Sequence, residues 1–304
     1  MKKATSTTML TIASALILCI GLISCSPRTT EVNSIQMEIP DEYRTGGVAV
    51  GLQAYTFNRF SVMEAIEKTA SAGGKLIEFY SGQRLDADNE TIFSHNSSDE
   101  DIERVKAKLD EHSIMAINYG VVDLSDADES HKIFEFANEM GMQAVTSEPT
   151  MDDMDRLEEL VKQYDVMLAI HNHPPRPDNP DYRVWDPEYV LSMVEGRDHR
   201  LGASADVGHW ARSGITPVDG LKILEGRLIS LHMADVDKLD RDGTDVVHGY
   251  GVGNMGGVLN ELKRQNFGGH ISLEYETNWD ANVTDVAQNI GYIYGWTQSQ
   301  QDNN

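Results

Sequence analysis

The sequence predicts a single (β/α)8 barrel, class α/β, and three observations carry the prediction. Eight short apolar runs alternate strictly with eight helix-like segments over about 250 residues, the length of one such barrel. Four of the runs end in a carboxylate or an imidazole: Ser147-Glu148-Pro149, Ala205-Asp206-Val207-Gly208-His209, Leu231-His232-Met233-Ala234-Asp235 and Leu273-Glu274-Tyr275-Glu276. Parallel strands that all end this way put their polar groups at one end of the barrel, where barrel enzymes keep their sites.

The first residues read as an export leader rather than as fold. Lys2 and Lys3 precede an apolar run over 9–23, which is short for a membrane span and ends in Leu22-Ile23-Ser24-Cys25. Small and apolar residues before Cys25 resemble the lipobox of bacterial lipoproteins. Residues 1–25 are therefore expected to be a lipoprotein signal peptide with Cys25 as the lipidation site, against the alternative of an ordinary cleaved signal with an incidental cysteine. Ser26 stands where a retention aspartate would, which favours attachment facing the periplasm. Both cysteines, Cys19 and Cys25, lie in this leader, so the folded part has none for a disulfide. Residues 26–45 are polar, carry Pro27 and Pro40, and read as a tether, with the barrel occupying 46–300.

Strands are expected at 48–55, 75–80, 114–122, 144–147, 166–170, 201–205, 228–233 and 271–275. Helices are expected at 61–72, 100–112, 130–140, 154–164, 187–194, 217–224, 257–265 and 283–294. Gly73 and Gly141 follow helices where a left-handed cap is needed. Two long inserts interrupt the alternation. Residues 173–186 carry Pro174, Pro175, Pro177 and Pro180 and read as a stiff wall, whereas 235–254 are rich in Asp and Gly and include His248.

The net charge is −24 and no basic cluster is present, which speaks against nucleic acid and acidic surfaces as partners. A membrane partner is expected only through the N-terminal lipid.

Glu148, Asp206, His232 and Glu274 end the fourth, sixth, seventh and eighth strands. Three carboxylates and an imidazole are hard to borderline donors that suit a divalent metal, Mn, Co, Mg or Zn. Glu276 falls on the same strand face as Glu274 two residues later and is read as a sugar-hydroxyl or ligand-orienting group. Strand five ends Ile170-His171-Asn172-His173, two imidazoles on one face. His171 is a candidate proton-transfer base and His173 a candidate substrate contact. Glu78 ends strand two and is read as a substrate contact, as is His248 in the long seventh loop. Tyr55, Phe57, Tyr80, Trp185, Trp210 and Tyr250 lie near strand ends or loops, where rings can meet the CH faces of a sugar or simply pack in the core.

These residues resemble the xylose isomerase-like barrels, a superfamily of sugar epimerases, inosose isomerases and dehydratases and a metal-dependent endonuclease, over nearly all of 46–296. The resemblance implies a metal held by Glu148, Asp206, His232 and Glu274, substrate contact by His209, and Glu148 and Glu274 as paired acid and base on opposite substrate faces, with His171 as the competing base. Export and the lack of a phosphate-gripping Lys/Arg cluster or glycine-rich helix start argue for an unphosphorylated sugar or glycoside. The expected reaction is metal-assisted proton abstraction next to a carbonyl, completed as isomerisation, epimerisation or β-elimination from a 3-keto-glycoside. The alternative is a non-catalytic carbohydrate-binding lipoprotein on the same barrel. The endonuclease branch needs more histidines and a basic groove.

Overall fold

The computed structural model describes Met1 and residues 34–301, so the leader, with Cys19 and Cys25, lies outside the described residues. Eight parallel strands form the barrel: β1 Val48–Gln53, β2 Leu76–Phe79, β3 Met115–Val122, β4 Ala144–Ser147, β5 Met167–His171, β6 Leu201–Asp206, β7 Leu228–Met233 and β8 His270–Leu273. Each pairs with the next and β8 pairs back to β1, so the barrel closes without an open edge. All eight expected strands are present.

The helices are α1 Val62–Ala72, α2 Asp99–His112, α3 Ala127–Glu139, α4 Met154–Tyr164, α5 Pro187–Val194, α6 Val207–Arg212, α7 Pro217–Ile223, α8 Met255–Arg264 and α9 Val283–Gln301. Local chemistry sets their ends. Ser61 and Glu64 form a reciprocal capping box on α1, and Gly73 closes it at φ 91°, a backbone region that residues with a side chain rarely adopt. α5 and α7 both start with proline, whose missing N–H costs nothing in a first turn.

The sequence reading contains no α6. This six-residue helix starts on the residue after β6, with Asp206 as its N-cap, so neither a linker nor a full amphipathic period announces it.

The barrel also begins before Gly46. Ile35, Met37 and Ile39 are buried and alternate with exposed Gln36, Glu38 and Pro40, and the Met37 N–H donates to the Gly268 carbonyl at 3.2 Å. They pack with Ala49, Leu76, Ile117, Ala144, Ala169 and Ile229 near the starts of six strands. This apolar floor would face water without a cover, and residues 34–39 supply one instead of serving as tether.

At the opposite end the loop 235–254 is ordered around one carboxylate. Asp235 Oδ2 accepts from the N–H groups of Gly249 and Gly251 at 2.9 and 3.1 Å, and Oδ1 from those of Val236 and Gly253 at 3.0 and 2.9 Å. A Cβ at Gly251 would sit 2.3 Å from Asp235 Oδ1, so only glycine fits this close approach. A short antiparallel pairing of Asp235–Val236 with Asp245–Val246 stiffens the same loop. Arg241 then reaches across to the Pro175 carbonyl at 2.6 Å and ties it to loop 173–186.

Candidate metal centre

Strand register brings the site together. His232 on β7 stands level with Asp206 on β6 and Ser272 on β8, while His171 is the last residue of β5 and Glu274 the first beyond β8. One ligand atom from each of His171, Asp206, His232 and Glu274 lies within 4.8 Å of all the others. The first three are buried; the Glu274 side chain is 13% exposed and opens the cluster to the barrel mouth.

Each donor is fixed from behind. Asp206 Oδ1 accepts from the His209 N–H at 2.6 Å, capping α6 and leaving Oδ2 to face His171 Nε2 at 3.7 Å. That Nε2 is buried and has no hydrogen-bond partner. His232 Nδ1 lies 2.8 Å from Glu274 Oε2, and its Nε2 lies 3.0 Å from Glu78 Oε2. Two imidazoles and two carboxylates converging on one point, one buried imidazole nitrogen left unpaired, are a donor set that fits a divalent ion of the Mn, Co or Zn type.

Glu148 stands outside this group. It forms a second one with His171 and His173, and both its oxygens are engaged. Oε1 accepts from the Tyr182 hydroxyl at 2.7 Å, lies 3.3 Å from His171 Nδ1 and bonds His173 Nδ1; Oε2 accepts from Arg176 at 2.8 Å. Tyr182 and Arg176 come from the proline-rich loop, and Arg176 stacks on the Tyr182 ring at 3.9 Å. Sequence reading missed both, because nothing in an irregular insert says where its side chains turn.

Glu78, expected as a substrate contact, lies behind His232. It is fully buried and bonds His232 and the Ser272 hydroxyl, the latter at 3.1 Å, with His270 behind it at 3.8 Å. His248 is buried against Tyr292 of α9, its backbone N–H donating to Asn289, and none of its contacts is with the cluster. His209 and His173 do reach the cluster's edge, their rings 4.8 Å apart and His209 6.0 Å from His171. Arg212, also missed, lies 3.4 Å from His209 Nδ1 and pairs with buried Asp245. Arginine only donates, so His209 Nδ1 accepts and a neutral ring carries its proton on Nε2.

Opposing charges set the protonation pattern. Burial disfavours the Glu148 carboxylate, but His171 and His173 outweigh it and hold the group well below the usual carboxylate range. Burial likewise lowers His171, yet Asp206 and Glu148 bring it up to about 9. Burial pushes His209 down to about 4 against the pull of Asp206. Glu276 goes the other way: burial, then Glu274 and Asp245, push it up to about 8, so it carries a proton at neutral pH.

At the rim Tyr55 is 40% exposed and meets Tyr80 and Trp279 edge-on at 5.2 and 5.8 Å. Its hydroxyl is pushed up by partial burial and by the charges of Glu276 and Glu274. Phe57 and Trp210 are core residues, Trp185 packs against the core, and Tyr250 is 84% exposed.

A closed eight-stranded parallel barrel with its polar cluster at the C-terminal end defines the class, and residues 66–295 match the family model of the xylose isomerase-like TIM barrel. The chain belongs to that family. An uncharacterised protein from Parabacteroides distasonis is 32% identical, with 81% of this chain and 98% of that one covered and a TM-score of 0.66. Two more distant structures share the fold: IolI with a bound zinc atom (16% identity, 83% and 98% covered, TM-score 0.61) and the 3-keto-D-glucoside 4-epimerase YcjR of E. coli (14%, 82% and 99%, 0.59). No curated protein matches the chain by sequence.

Proposed function

We propose that the protein is a metal-dependent, sugar-active enzyme that removes a proton next to a carbonyl of an unphosphorylated sugar or glycoside. The observation that carries this reading is the buried convergence of His171, Asp206, His232 and Glu274 at the C-terminal end of the barrel. A divalent ion bound there supplies Lewis-acid polarisation of the substrate carbonyl, which acidifies the neighbouring C–H.

The chain's own residues supply the rest. Removal of the proton is assigned to Glu148, which is ionised and sits beside His171 at the edge of the cluster. Tyr182 and Arg176 hold it in position from the fifth loop. Glu276, whose carboxyl is pushed up to about 8 by burial and then by Glu274 and Asp245, is assigned the return of a proton. The neutral His209 offers its Nε2–H to a hydroxyl, and the exposed Tyr55 ring offers a flat face to sugar CH groups. Isomerisation, epimerisation and β-elimination from a 3-keto-glycoside share this first step, and the distant neighbour that is a 3-keto-D-glucoside 4-epimerase acts on the carbonyl-bearing substrate class that fits it. Action outside the cytoplasm as a lipid-anchored protein is part of the proposal and agrees with an unphosphorylated substrate.

Proton NMR of methyl 3-keto-glucoside in deuterated water, with and without EDTA, tests the reading. Deuterium incorporation next to the keto group, or release of methanol, that stops with EDTA and returns with Mn2+ is the expected result. Saturable binding of the sugar with no exchange under any metal loading would make the barrel a binding protein instead.

A further inference from the structure

At the end of the barrel opposite the polar cluster, a cleft of about 290 Å3 opens between α8 and α9, where β8 pairs back to β1. Leu259 and Leu262 of α8 and Trp296 and Thr297 of α9 line its sides, with Val48 of β1 and Ile271 of β8 between them. At about 30 Å3 per water the cleft has room for about ten, whereas protein interiors keep few voids larger than one. The Trp296 indole N–H donates to Asn260 Oδ1 at 3.1 Å and fastens the ring to α8.

The charge at the cleft is opposite in sign to that of the chain. Arg44 and Lys263 line it, in a chain of net charge −24, and among the described residues neither is in an ion pair. Arg44 Nε and Nη1 donate to the Ile39 and Gly47 carbonyls at 3.1 and 3.2 Å, and its Nη2 makes no hydrogen bond among the described residues. Lys263 Nζ donates to Gln300 Oε1 at 3.0 Å. Neutral acceptors thus hold both cations without cancelling their charge.

We propose that this cleft binds a small amphipathic carboxylate, a monoanion with an apolar body of about eight carbons. The apolar walls take the body out of water, and the guanidinium meets the carboxylate with its planar fork while Lys263 adds a second positive charge. A neutral ligand would leave both cations unmatched, and a bare anion would leave the walls wet. None of these residues belongs to the polar cluster, so the site stands whether or not a metal binds there.

Octanoate is the probe, added to the full chain kept metal-free with EDTA so that its carboxylate has no ion to bind. Labelling with 15N-tryptophan gives one indole N–H signal from each of Trp185, Trp210, Trp279 and Trp296, and Trp296→Phe assigns the one at the cleft. Octanoate is expected to move the Trp296 signal along a single saturable curve and to leave the other three in place. Octan-1-ol, the same body without the charge, is expected to bind about 10-fold more weakly, as is octanoate to Arg44→Gln or Lys263→Gln. An unmoved Trp296 signal, equal affinity for octan-1-ol, or unchanged octanoate affinity in both variants overturns the proposal. Lys263 is exposed and the octan-1-ol comparison uses the unsubstituted protein, so neither depends on Arg44→Gln folding.

Discussion

His248 and His209 show how burial rather than sequence identity fixes what a histidine does. Both are pushed down to about 4, yet His209 borders the cluster and His248 sits against α9 with neither ring nitrogen hydrogen-bonded. A buried neutral histidine ties stability to pH. Its folded pKa is below its unfolded value of about 6.5, so the unfolded chain binds the extra proton first; the stability is intact above about 6.5 and is lost as pH falls towards about 4. By pH 5 this amounts to about 2 kcal/mol for His248 alone. His248→Gln is expected to lose that much less stability than the unsubstituted protein between pH 7 and pH 5, measured by urea unfolding. Parallel pH profiles for the two would mean that the ring is reached by water.

At the level of elements, the covering loops are organised by single residues rather than by regular structure. Asp235 gathers four backbone N–H groups of loop 235–254, and Arg241 fastens that loop to the proline-rich one that clamps Glu148. Asp235→Ala strands those donors. It is expected to cost about 2 kcal/mol or more and to make 235–254 the first site of proteolytic nicking, with the barrel strands still resistant. Limited proteolysis followed by mass mapping reads this directly, and an unchanged cleavage pattern would show that the hairpin of Asp235–Val236 with Asp245–Val246 suffices.

Across the whole molecule, stability and chemistry occupy opposite ends of the barrel. The floor is apolar and covered by Ile35, Met37 and Ile39, and the mouth carries the donors. Ile35→Ala is expected to destabilise by about 2–4 kcal/mol with an unchanged Mn2+ Kd, since Ile35 packs only in the floor layer. Thermal unfolding of the metal-free protein and a metal titration separate the two effects; a weakened Kd would show that the floor positions the site through the strands.

Much of this was legible in the sequence. The eight apolar runs fall on the eight strands because parallel strands buried on both faces read as continuous hydrophobic stretches bounded by turns. Their C-terminal polar residues mark the site because a barrel gathers all such ends into one mouth, and Asp206, His232 and Glu274 do converge there. The signal for residues 35–39 was present as strict alternation of apolar and polar residues, but a segment with no neighbour in sequence gives no hint of what it covers. Local periodicity is enough to specify the barrel and the end at which its polar residues gather. Packing in three dimensions is what puts Glu78 behind His232, Arg176 and Tyr182 on Glu148, and an unpaired nitrogen of His171 towards the cluster. Those outcomes depend on side-chain directions and on contacts between segments 28 to 154 residues apart, which no local pattern encodes.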